Sequence, residues 1–401
     1  MQAKSFFILF LVLTFLIGCN PPQKGFEVSS EISVSDKAVV LSYEEVNSYL
    51  PEKVGNEHIV VIDANGEKLP SQCDDLDKDG QWDELAFLVN LNAGEAKTLY
   101  FNAVAEEEVP DFPKRTNVRF GYKEEPFVEV TGEERLETTD SPTISEIFQM
   151  EGPAWENDRV AFRNYYDARN GIDIFGKTTT DMILDSVGIR GQNYHEMDDW
   201  GMDILKVGNS LGAGAIGIRI GDEVTRVGPS EKGTFEFVTE GPVRAILKLK
   251  YFGVDVEERS YDITNRISIY AGDLFYRSHV TVDGLQGDEQ LVTGIVNMEN
   301  VEAFPLKKNG YQIIASHGNQ GYLGEVLGMA IIAPEGDFTG TWAAPEEGEG
   351  IVETHMVALE LNGGEPTEFY FFSGWEYQNE GFKNLDFFQE ELEKATVKMA
   401  N

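Results

Sequence analysis

The sequence predicts a mostly β protein built as two antiparallel β-sandwiches, a small one followed by a large one, and closed by a C-terminal helix. Three observations predict it. Along Val243–Tyr251, Val243, Ala245, Leu247, Leu249 and Tyr251 alternate with Arg244, Lys248 and Lys250, the period-two pattern of a half-buried strand. Leu274–Val282 repeats it, with Phe275, Arg277, His279 and Thr281 on one face and Leu274, Tyr276, Val280 and Val282 on the other. Further short apolar runs are separated by polar turns, whereas a helical stripe is clear only once, near the C-terminus, which favours stacked sheets.

Taken in order, residues 1–18 read as a targeting segment. Lys4 supplies the positive start, and Phe6 to Ile17 form an apolar run too short to span a bilayer. Leu16-Ile17-Gly18-Cys19 matches a bacterial lipobox, so Cys19 is the expected lipidation site and first mature residue. Asn20 in place of Asp points away from retention at the inner membrane. The expected location is therefore the outer membrane, on its periplasmic or surface face, with acyl chains that anchor the chain without spanning the bilayer.

Residues 19–105 are expected to form the small sandwich, from runs such as Val39-Val40-Leu41, His58 to Ile62 and Leu85 to Val89. Between two of them lies an acidic turn in which Asp75, Asp77, Asp79 and Gly80 follow the opening of a calcium loop. The position for the bidentate glutamate is Ala86, so the match is partial, and a structural calcium ion is a candidate rather than a requirement. Residues 106–113, with three glutamates and two prolines, form the expected linker. Residues 114–401 form the large sandwich, expected to be a supersandwich of the galactose-mutarotase-like kind. Its final helix is capped by Asn384 and carries Leu385, Phe388, Leu392, Ala395 and Met399 as one apolar stripe.

Charge excludes one class of partner. Seventy Asp and Glu against 32 Lys and Arg give a formal net charge of −38, the opposite of the basic footprint that nucleic acid requires. An anionic substrate would need local positive charge against that field. Beyond Cys19 only Cys73 is left, so no internal disulfide is expected in the mature chain. The glycines from Gly212 to Gly217 lead into a strand pattern and not a helix, so they do not read as a phosphate loop. Neither an H-E-x-x-H zinc motif nor a G-x-S-x-G elbow occurs, and no cofactor is expected to be required.

The stretch from Glu151 to Gly214 concentrates rings, carboxylates, guanidinium groups and a histidine with little periodicity, and reads as irregular backbone that carries function. His195 sits there beside Tyr194 and near Asp198 and Asp199, suited to proton transfer. Arg159 and Arg163, four apart, would share one face of a helical turn and could fork onto a carboxylate or sulfate; Lys177 adds a third cation. Trp155, Tyr165, Tyr166 and Trp200 offer faces for sugar rings, or else belong to the core. His279 and Arg277 share a strand face that could line a cleft.

Gly152-Pro153 with Trp155 to Arg163, Asp173 with Phe175-Gly176-Lys177, His195 with Asp198 to Asp203, and Lys206 to Gly214 resemble the signature of a family of exported bacterial proteins. That family is associated with polysaccharide-degradation loci and has long been labelled a domain of unknown function; within it, the ulvan oligosaccharide dehydratases of marine bacteria are the most similar. The resemblance implies a carbon–oxygen lyase that removes water from a non-reducing-end uronic acid and leaves a 4,5-unsaturated residue. Such chemistry needs a base for the C5 proton, His195 first and Tyr194 second, and an acid for O4, Tyr166 or His279. It also needs cations for the carboxylate, from Arg159, Arg163 or Lys177. Trp155, Trp200 and Arg277 complete the expected substrate contacts. Two other classes stay open: a glycoside hydrolase with Glu156 and Asp199 as paired carboxylates, and a glycan-binding lipoprotein without catalysis. In each case the expected partner is an acidic, sulfated or unsulfated, oligosaccharide.

Overall fold

The computed structural model describes residues 24–55, 57–135 and 147–399. The lipobox and Cys19 lie outside the described residues. The chain is mostly β, in several antiparallel sheets with one long C-terminal helix, as the alternation predicted.

Strands from residues 26 to 104 make two sheets. Phe26–Ser30, Glu95–Val104, His58–Asp63 and Lys68–Leu69 form one, and Val34–Ser42, Glu84–Leu91 and Ser71–Asp74 the other. Val61, Leu85, Phe87, Leu99 and Phe101 fill the core between them. Burial pushes the Cys73 thiol up to about 11, so it is no reactive thiolate.

A nine-stranded sheet dominates the rest. The strands Arg244–Val256, Arg259–Tyr270, Phe275–Asp283 and Thr367–Trp375 run side by side at its centre. On one face, its core residues include Tyr276 and Phe371, which meet Trp155 and Phe162 of a five-stranded sheet. That smaller sheet has the order Gly201–Asp203, Ile172–Lys177, Val160–Asn164, Ala154–Asn157, Thr116–Arg119. A second five-stranded sheet, through Leu291, Val292, Val357 and Leu359, lines the same core. The opposite face is covered in part by the helix Leu385–Met399, through Phe388, Leu392, Ala395 and Met399. Leu385, expected in that stripe, is 42% exposed, because it stands at the first residue of the helix, ahead of the turn that packs.

The stretch expected to be irregular is regular in its first half. Ala154–Asn157, Val160–Asn164 and Ile172–Lys177 form a hairpin meander, with every residue buried. Their inner face meets the nine-stranded sheet, and their outer face lies under the 178–200 loop, so no polar side alternates with an apolar one. Contact with the nine-stranded sheet is close at Gly176, where an added Cβ would lie 2.6 Å from the Trp375 ring and 2.8 Å from Ile204. Gly176→Ala is therefore expected to cost about 1–3 kcal/mol through overpacking, read as a lower denaturation midpoint; an unchanged midpoint would show that the two sheets are not in register there.

Candidate active site

The outer face of the five-stranded sheet carries a buried ionic cluster. Alternation turns Phe162, Ile174 and Met202 inward to the core and brings Arg163, Asp173 and Asp203 together on the other side. Arg163 is fully buried and pairs with Asp173, with Asp203 at 3.5 Å and with Glu151 at 3.0 Å. It also donates to the Met150 carbonyl at 2.8 Å and the Tyr194 hydroxyl at 3.3 Å, while the Tyr165 ring lies 4.3 Å from its guanidinium carbon. The Tyr165 hydroxyl donates to Asp173 at 3.0 Å.

His195 reaches this cluster from the covering loop. Its Nδ1 lies 3.3 Å from Asp203 Oδ2, and its side chain remains 45% exposed. The backbone fixes this approach: Asp203 N donates to the Tyr194 carbonyl at 2.8 Å, and Asp198 and Gly201 exchange both backbone bonds at 3.0 Å. The Tyr194 ring lies 4.6 Å from the imidazole on one side, and the Tyr322 ring stacks at 5.9 Å. Tyr322 arrives from a loop of the nine-stranded sheet, held by its N–H on the Ile204 carbonyl at 2.9 Å.

The electrostatics separate the roles. Burial, then the neighbouring Asp173 charge, raise Asp203 well above the ordinary carboxylate value, with Arg163 opposing. Burial, then the Arg163 charge, lower His195 from 6.5, so the imidazole is neutral at neutral pH. Burial raises the Tyr194 phenol, against Arg163, and keeps it protonated. A neutral base and a protonated acid thus stand side by side over a common ionic base. Asp203→Asn removes a buried carboxylate whose folded pKa is raised, a group that costs stability once the pH exceeds its unfolded value. The variant should thus gain in melting temperature relative to wild type as pH rises from acid to neutral; a gain that shrinks with pH would contradict the raised value.

Several expected site residues lie elsewhere. Arg159 and Arg163 do not share a helical turn; Arg159 follows Asn157 in the hairpin turn and lines a 380 Å³ cavity with Asp36 and Lys398. Arg163 is fully buried and paired with carboxylates of the protein, so it does not face a substrate carboxylate. Lys177 is fully buried, donating to Glu156 at 2.6 Å and the Asn157 carbonyl at 2.7 Å. Glu156 also accepts from the backbone of Ile183 and Leu184 at 3.0 and 2.8 Å, so this pair fastens the loop and is no hydrolytic carboxylate. Trp155 and Tyr166 are core residues, packed against Phe162 and Phe120 respectively, because the sheet that carries them is covered on both faces. Trp200 packs on Phe175 at the edge of the cluster, half-buried. His279 and Arg277 stand together, but on the far face of the nine-stranded sheet. In the acidic turn, among the described residues, the carboxylates that converge within 4.8 Å are those of Asp75, Asp77 and Asp83, whereas Asp79 accepts from Gln81 N at 2.8 Å.

The family model described as "Domain of unknown function (DUF4861)" matches residues 28–401. The chain belongs to that family. Among curated proteins it is similar to "Uncharacterized protein P7" of Formosa agariphila, 28% identical over 204 residues that cover 46% of this chain and 50% of that one. The match thus spans about half the length of that relative. Two solved structures are similar over 94% of this chain: an alpha-mannosidase from Enterococcus faecalis V583, with TM-score 0.43, 12% identity and 44% of that chain covered, and a protein in the Glycosyl Hydrolase Family 38 from Enterococcus faecalis, with TM-score 0.41, 11% identity and 45% covered. Neither is described as a lyase, and the expected carbon–oxygen lyase is withdrawn as unsupported by these comparisons. Likeness at these TM-scores carries nothing further.

Proposed function

We propose that this DUF4861 protein is a hydrolase of acidic oligosaccharides of the ulvan type, with the His195–Asp203 pair at its centre. One observation carries the reading: a neutral, half-exposed imidazole is held through Nδ1 by a buried carboxylate, beside a phenol that stays protonated. Asp203 orients the ring through Nδ1 and leaves Nε2 as the nitrogen available to an attacking water. His195 takes a proton from water as it attacks the anomeric carbon, and Tyr194 delivers its proton to the departing glycosidic oxygen. Tyr194 and Tyr322, whose rings both lie against the imidazole, supply faces on which a sugar ring can rest. Lys206, exposed, 5.6 Å from the Tyr322 ring centroid and paired at the surface with Glu299 at 3.3 Å, is the cation that would swing to a substrate carboxylate in place of Arg163.

The sugar itself is assigned from the resemblance of the Glu151–Gly214 motifs to a polysaccharide-degradation family. Export and lipid anchoring through Cys19 belong to the same proposal, and the mass of the mature N-terminus checks them; among the described residues no helix is long and apolar enough to cross a membrane. The activity is tested with purified protein and uronic-acid-ended oligosaccharides, sulfated and desulfated, by counting new reducing ends. Release by the wild type that disappears in His195→Ala is expected. Binding without release would leave a glycan-binding protein and overturn the assignment.

A further inference from the structure

A second polar cluster lies on the opposite side of the large sandwich. Tyr276 points into the core against Trp155 and Phe162, so its neighbours Arg277 and Phe275 point away from it. The His195 cluster faces outward from the partner sheet. With sheets stacked roughly 10 Å apart, the two clusters are on opposite surfaces of the layered body and cannot serve one sugar ring.

Cross-strand register assembles the second cluster. Arg266 stands opposite His279, and Ser268 opposite Arg277; on the other flank Glu368 pairs with His279 and Tyr370 with Arg277. Arg266, Ser268, Arg277 and His279, together with Arg244, Glu84 and Lys398, surround a cavity of about 240 Å³, closed by the strand Val34–Ser42 and the end of the C-terminal helix. Two of its cations are already spent. Arg244 is locked by Asp74 and Glu84, both at 2.7 Å, and Lys398 by Asp273 at 2.7 Å.

The others are not. Arg277 Nε is buried without a hydrogen-bond acceptor, its nearest carboxylate being Glu368 at 3.7 Å. Arg266 reaches only Glu84, at 3.9 Å, which Arg244 already holds. His279 bonds Glu368 through Nε2 at 2.6 Å and leaves Nδ1 buried with no partner. The His279 bond and the Arg277 charge outweigh burial and hold Glu368 down to about 2, so that carboxylate is committed to them. Arg266 and Arg277, diagonal neighbours across the strand pair, repel one another unless an anion lies between them. Arg277 Nε, a buried donor without an acceptor, carries a cost of its own. Both costs vanish if an oxyanion enters the cavity.

We propose that Arg266, Arg277 and His279 form an anion-binding site at the junction of the N-terminal sheets and the nine-stranded sheet, for a sulfate or carboxylate group, free or carried on a saccharide. Arg277 Nε and the Arg266 guanidinium donate to its oxygens, and the Ser268 hydroxyl lies on the same face.

Calorimetric titration with inorganic sulfate tests it, at constant ionic strength set with chloride, so that general screening of the −38 charge does not register as binding. Wild type should show one saturable site. Arg277→Lys, which keeps the charge but loses the fork, and Arg266→Gln, on a half-exposed side chain, should each weaken it by about tenfold or more, the worth of a charged hydrogen bond. A monosaccharide sulfate that binds more tightly than inorganic sulfate assigns the site to a glycan, and the reverse order assigns it to the free ion. His195→Ala should bind sulfate as wild type does, which separates this site from the hydrolytic reading. No saturable binding by wild type, or equal binding by both arginine variants, overturns the proposal.

Discussion

His195→Ala should fold, melt near the wild-type temperature and lose turnover on uronic-acid-ended oligosaccharides by about a hundred- to ten-thousand-fold, the usual worth of a positioned general base. The fold should survive because the imidazole is 45% exposed and makes its one close polar contact to Asp203 through Nδ1. KM should change little, since the ring acts on the attacking water and not on ground-state binding. In the wild type the acid limb of kcat/KM should fall at a pH below the ordinary imidazole value of 6.5, because burial and Arg163 lower it and only the neutral form is a base. A folded His195→Ala protein with near-normal turnover would remove histidine from the mechanism and leave Tyr194 as the candidate base.

Replacing Arg163 should have a different and larger structural effect. Its guanidinium holds Asp173 and Asp203 in a place with no solvent, with Glu151 at the edge, and Arg163→Met would leave buried carboxylates without their counter-charge. Breaking a buried pair from one side costs about 3–5 kcal/mol, read as an early unfolding midpoint in urea. Arg163→Met combined with Asp173→Asn should recover part of that loss, since one uncompensated charge leaves with the other. If Arg163→Met stayed within about 1 kcal/mol of wild type, the range of a surface ion pair, the cluster would not be the brace described above.

The difference between these two variants marks where the sequence was legible. Val243–Tyr251, Leu274–Val282 and the final helix each bury one face, so their periods are printed in the chain and the elements were readable. Residues 154–177 bury both faces, and their cations, carboxylates and rings gave no period at all; Arg163, Lys177, Trp155 and Tyr166 consequently read as substrate contacts when they are internal ties and core. Arg159 lies in a hairpin turn and Arg163 on the strand that follows it, a hairpin that no local signal announced. His195 and Tyr194 stand out in the sequence because they are polar residues in the part that is truly a loop. Asp203 sat in plain view eight residues on, but its claim rests on pairing with Ile172–Lys177, a tertiary fact. Tyr322 comes from a distant loop, and nothing near it in sequence points to the site.

The reaction class is the claim on which the rest depends, and product masses after turnover in oxygen-18 water test it most directly. Hydrolysis predicts two fragments from each oligosaccharide, with one oxygen-18 retained at the newly exposed anomeric carbon, and no such fragments from His195→Ala. An uncleaved product lighter by one water, absorbing in the near ultraviolet and carrying no oxygen-18, would contradict it.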